Sequence, residues 1–126
     1  DHADQTHGID DLRVFAIRSR RRIPAWMDPP THAALTERFR YIFDSVQGYP
    51  AILEAKALPP LGHPFQIDGV GGEIPVMTFD QAHGPIPSVG YRIGGLAYCS
   101  DVSDLDETAI AAVRGCDLWI VDALRW

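Results

Sequence analysis

A chain of 126 residues, 46% hydrophobic and 22% charged, fits one globular domain with a real core. Its net charge of −6 argues against a nucleic-acid backbone as the main partner. Two cysteines, Cys99 and Cys116, exclude a disulfide framework, and no apolar run approaches the roughly 20 residues that span a bilayer. A soluble, cytoplasmic protein with reduced thiols is expected, although any targeting segment would lie ahead of Asp1.

In chain order, the opening DHADQTHGIDDLR is dense in histidine and acid. Ile9, Leu12, Phe15 and Ala16 then recur at helical spacing and predict a helix over about 8–19, with Asp10 and Asp11 in its acidic first turn. The basic run RSRRR at 18–22 reads as a solvated helix end more than as a phosphate site. Ile23–Met27 predicts a short buried strand, and Thr31 a helix cap. Leu35, Phe39, Ile42, Phe43 and Val46 trace one helical face, with Glu37, Arg38 and Arg40 turned to solvent, until Gly48-Tyr49-Pro50 stops it.

From 52 to 100 the texture becomes β-prone, in runs at 52–58, 64–68, 73–80, 88–93 and 95–100. Gly94-Gly95 marks a two-residue hairpin. A helix follows, started by Ser103 or Asp104, with Ile110 and Val113 inward and Gly115 at its end. Leu118–Val121 is a fully apolar strand that runs into Asp122. The order predicts strands covered by helices, an α/β layered fold.

Metal-capable side chains stand where strands or loops end. His2 and Asp4 open the chain, His83 follows the apolar stretch Ile74–Phe79, and Asp101 follows Leu96–Cys99. Imidazoles and carboxylates held at strand ends suit a divalent cation such as zinc or manganese. Singly, each is an ordinary turn residue. Their order and spacing carry the signal.

DHADQTHGIDDLR, FDQAHG, SVGYRIGGLAYCSDVS and LWIVDALR resemble successive blocks of the metallo-β-lactamase-fold hydrolases, in the branch of the phosphoribosyl 1,2-cyclic phosphate phosphodiesterase-like proteins. The resemblance covers essentially the whole chain. It implies an αββα sandwich with mixed sheets flanked by helices, and a site for two divalent metal ions. In the family's first signature, His-x-His-x-Asp-His, His2 matches the second histidine and Asp4 the aspartate. The first histidine would fall before Asp1, and Gln5 stands where the third should be. His83 matches a later histidine ligand, and Asp101 the carboxylate that bridges both metals. The family's last histidines would lie beyond Trp126. On this reading residues 1–126 are one incomplete domain, an interior segment lacking flanks on both sides and inactive by itself.

The implied chemistry is phosphodiester hydrolysis of a small cyclic phosphate or nucleotide-like ester by metal-activated water, with Asp4 orienting the attack. Gln5, a neutral and weaker ligand than imidazole, puts the second metal in doubt. His7 reads as a pocket-wall or phosphate-contacting residue more than as a ligand. Asp122 is either a partner of a histidine ligand or a loop cap. Tyr91 and Arg92 point to opposite faces, so at most one approaches the pocket. The expected partner is a small phosphoester, with no membrane and no nucleic acid, and a homodimer left open. Two rival readings stand: the same fold acting on a thioester, lactone or RNA 3′ end, and a degraded-site homologue serving as a non-catalytic binding module.

Overall fold

The computed structural model describes residues 2–122, so the tail of the LWIVDALR block, residues 123–125, lies outside the described residues. The chain divides into two compact units, Asp1–Leu58 and Pro59–Trp126.

The first unit opens with α1 (Ala3–Thr6), a 3₁₀ turn (Ile9–Leu12) and α2 (Arg13–Ser19). The single helix expected over 8–19 is thus split. Asp10 sits in the first turn and pairs with Arg13 at 2.8 Å. Ile9 and Leu12 pack on the core and Ala16 is buried, whereas Phe15 is 62% exposed. Arg20 takes the left-handed conformation (φ 54°) that ends α2, and the arginines at 18 and 20–22 are solvated, as expected.

β1 (Ile23–Met27) and β2 (Leu53–Ala57) pair in parallel with Ile23 opposite Leu53. A parallel pair needs a crossover, here α3 (Pro29–Arg38) and α4 (Arg40–Phe43). β1 is half-buried along most of its length. The cap of α3 is Asp28, whose side chain accepts from the Thr31 N–H at 2.9 Å, so the helix starts earlier than Thr31 would place it. Pro29 and Pro30 sit in the first turn, where a missing N–H costs nothing. The long helix expected to reach Gly48 breaks at Phe39 (φ −131°, ψ 42°) and ends at Phe43. Val46, expected on its inner face, instead bridges Tyr49 and is exposed. Leu35, Ile42 and Phe43 are buried with Ala16, Met27, Ile52 and Leu53, and Phe39 is partly buried against them.

The second unit is a five-stranded sheet in the order β3-β4-β5-β6-β7. Its strands are β3 (Phe65–Gly69), β4 (Gly72–His83), β5 (Ile86–Ile93), β6 (Leu96–Cys99) and β7 (Leu118–Val121). All pairs are antiparallel except β6 with β7, which α5 (Glu107–Val113) connects in parallel. Asp106 caps α5, accepting from the Ala109 N–H at 2.7 Å, in place of Ser103 or Asp104. α5 turns Ala109 and Val113 inward, while Ile110, expected inward, is 38% exposed. Residues Ala109 and Val113 lie four apart on one face, which excludes the intervening Ile110. β7 is an outer strand with only β6 beside it among the described residues, so its four apolar residues are exposed rather than buried.

Phe79 centres the second core with Ala97, Cys99, Ala109 and Val113. Gly90 lies opposite Phe79 in the β4–β5 register, and a Cβ there would sit 2.3 Å from the ring carbon Cε2. Gly90→Ala is therefore expected to destabilise by about 1–3 kcal/mol through overpacking. Urea melts of the full-length protein check this, and an unchanged midpoint would show that the ring moves freely.

Candidate metal centre

Strand direction decides which residues can meet. β4 runs antiparallel to β5, β5 antiparallel to β6, and β6 parallel to β7. The C-terminal ends of β4, β6 and β7 therefore share one end of the sheet. His83 is the last residue of β4, Asp101 lies two residues past β6, and Asp122 directly follows β7. Three chemistry-bearing residues from distant parts of the chain reach one sheet end by topology alone.

His83 and Asp101 each bring a ligand atom within 4.8 Å of the other, and both side chains are half-buried. One imidazole nitrogen and one carboxylate oxygen form a donor set that zinc or manganese accepts. A hollow beside the β4–β5 turn is lined by His83 and by Asp80, Asp104 and Asp106, three carboxylates whose field favours cations. The Asp122 N–H donates to the Cys99 carbonyl at 3.0 Å, and its side chain is exposed.

Asp101 adopts φ 50°, the left-handed region, where aspartate is one of the few non-glycine residues found with any frequency. Its backbone is held from the strands. Gln81 Nε2 donates to Ser88 Oγ at 2.9 Å and to the Ser100 carbonyl, and Ser88 Oγ donates to the Asp101 carbonyl at 2.8 Å. The same loop is tied beside His83: Ser103 N donates to the Ala82 carbonyl at 2.8 Å, and the Ala82 N–H to the Asp104 carbonyl at 3.1 Å. The sequence reading gives Gln81 and Ser88 no role, and Ser103 only that of a helix start. One signal was present, because alternation puts Gln81 on the Phe79 face of β4, a polar side chain directed at a core.

In the first unit, His2 is extended (φ −64°, ψ 153°) and starts α1, with its carbonyl accepting from Thr6 Oγ1 at 2.8 Å. Asp4 lies in the first turn of α1 and is exposed, as is Gln5. His7 is exposed and stacks edge-on against Phe39, ring centroids 6.0 Å apart. Arg92 is a structural clamp: its guanidinium donates to the carbonyls of Val113 and Gly115 at 3.1 Å and of Gly94 at 2.6 Å.

Over residues 1–126 the chain matches the family model of the beta-lactamase superfamily domain. It is 27% identical over 128 residues to an octanoyltransferase of Porphyromonas gingivalis, covering 100% of this chain and 24% of that protein. A crystal structure described as that of a new diphosphatase from the PhnP family aligns with TM-score 0.74 and 26% identity. That alignment covers 94% of this chain and 43% of the other. The chain therefore spans less than half the length of either relative. The mixed sheet with its helices agrees with the fold of the aligned structure, and it is to the beta-lactamase superfamily that this chain belongs.

Proposed function

We propose that the full-length protein is a metal-dependent phosphodiesterase acting on a small cyclic phosphate or nucleotide-like ester. The observation that carries this reading is the approach of His83 and Asp101 to within 4.8 Å at the end of β4 and β6. Similarity to a structure described as a diphosphatase supports phosphoester chemistry. In this proposal His2, Asp4, His83 and Asp101 would hold two divalent cations, zinc or manganese, with Asp101 as the ligand common to both. When bound, such ions neutralise charge on phosphoryl oxygens and acidify water. His2 and His83 contribute neutral imidazoles, so ligation demands that both be deprotonated. Asp4 is the residue assigned to orient the attacking water. Gln5 offers only an amide oxygen, which makes the second cation the weaker one. Asp122 is assigned as a hydrogen-bond partner of a ligand histidine, and His7 as a wall residue of the substrate pocket.

The substrate is a small molecule, and the protein's setting is the cytoplasm, which the free thiols of Cys99 and Cys116 support. A homodimer is compatible with the reading. A second reading, hydrolysis or transfer of an acyl thioester, draws on the octanoyltransferase likeness, although this chain spans only 24% of that protein.

The test uses the full-length protein with bis-p-nitrophenyl phosphate and an octanoyl thioester side by side. Diester turnover is expected, lost on chelation and restored by zinc or manganese. Turnover that survives complete metal removal, or activity on the thioester alone, would reject the phosphodiesterase.

A further inference from the structure

We infer that Gln81 and Ser88 are positioning residues for metal binding, a directional hydrogen-bond relay that holds Asp101 against His83. The inference deepens the metal-site reading and rests on it. Gln81 and Ser88 lie directly opposite each other in the β4–β5 register, and Gln81 is 3% exposed. The two amide hydrogens of Gln81 go to Ser88 Oγ and the Ser100 carbonyl. The single Ser88 hydroxyl hydrogen goes to the Asp101 carbonyl. Every hydrogen in the relay is committed, and the order cannot be reversed, because both end acceptors are carbonyls that donate nothing.

Gln81 Oε1, by contrast, is buried with no hydrogen-bond partner among the described residues. A residue kept only to fill the core would be apolar and leave no such atom. The amide is retained for its donor side. Its targets are the consecutive carbonyls of residues 100 and 101, where the backbone enters the left-handed conformation (φ 50°) at Asp101. That conformation sets where the carboxylate points. Gln81 is also two residues before His83 on the same strand, hence on the same face. One strand thus carries a ligand candidate and the group that locks the other.

The test is metal binding by the full-length protein carrying Gln81→Leu, Gln81→Glu, Ser88→Ala or Ser88→Thr. Zinc affinity is expected to fall about 10–100-fold in Gln81→Leu, Gln81→Glu and Ser88→Ala, the range for groups that orient metal ligands. The visible absorption of the cobalt(II) protein at saturating metal should shift with them. Ser88→Thr, which keeps the hydroxyl, should restore wild-type affinity and spectrum; a purely structural role would not require the hydroxyl. Where Gln81→Leu fails to fold, the Ser88→Ala and Ser88→Thr pair decides. Folded Gln81→Leu or Ser88→Ala protein with wild-type affinity and spectrum would overturn the relay and leave the metal site standing. Wild-type protein that binds neither zinc nor cobalt would overturn both.

Discussion

Asp101→Ala in the full-length protein is expected to lower diester turnover by at least about a thousandfold and to strip bound metal. The carboxylate is assigned to both cations, and charge stabilisation by metal ions is worth several kcal/mol, with each 1.36 kcal/mol a factor of ten in rate. The left-handed backbone at Asp101 (φ 50°) offers a cleaner variant. Asparagine tolerates the same conformation, so Asp101→Asn removes the charge and leaves the loop as it is. Both variants should lose turnover and metal, while the thermal midpoint of apo Asp101→Asn stays near that of the apo wild type. Asp68→Ala, at an exposed position of β3, serves as the control and should keep activity. Metal content by mass spectrometry and diester kinetics read the outcome, and full turnover from Asp101→Asn would refute the bridging role.

Phe79→Ala is expected to cost about 3–5 kcal/mol, the range for removing a buried aromatic ring. Phe79 is 2% exposed and touches the core of both β6 and α5, where Ala97, Cys99, Ala109 and Val113 are all small or medium-sized. Such neighbours have little side chain with which to refill the space. Against a total stability of about 5–15 kcal/mol, the loss would be a large fraction. Phe39→Ala should cost less, because that ring is only partly buried at the break between α3 and α4. Urea denaturation of both variants measures the contrast. A Phe79→Ala loss below about 1 kcal/mol would show that the ring does not organise this core.

The strands were the most legible part of the chain. Ile23–Met27 was read to the residue, and the five runs between 52 and 100 correspond to β2 through β6 with shifts of a few residues at their ends. Alternation and β-branched residues act locally, and Gly94-Gly95 closes the β5–β6 hairpin as its spacing predicts. Helix ends were less legible. Asp28 and Asp106 took the caps from Thr31 and from Ser103 or Asp104, since several residues near a helix start can accept from the backbone and packing selects among them. The break at Phe39 left no mark in the apolar spacing, because Leu35, Ile42 and Phe43 reach the same core on either side of it.

His83 and Asp101 were legible as ligand candidates from side-chain chemistry and from their places after apolar runs. That much belongs to the sequence: residue type, strand propensity and order along the chain are properties of short stretches. Their approach to one another depends on β4, β6 and β7 sharing a direction, which strand pairing sets across nearly forty residues between His83 and Asp122. The Gln81–Ser88–Asp101 relay depends on register, where a slip of one residue would turn Gln81 to the other face. Register is a property of two strands together, so only the tertiary structure decided it.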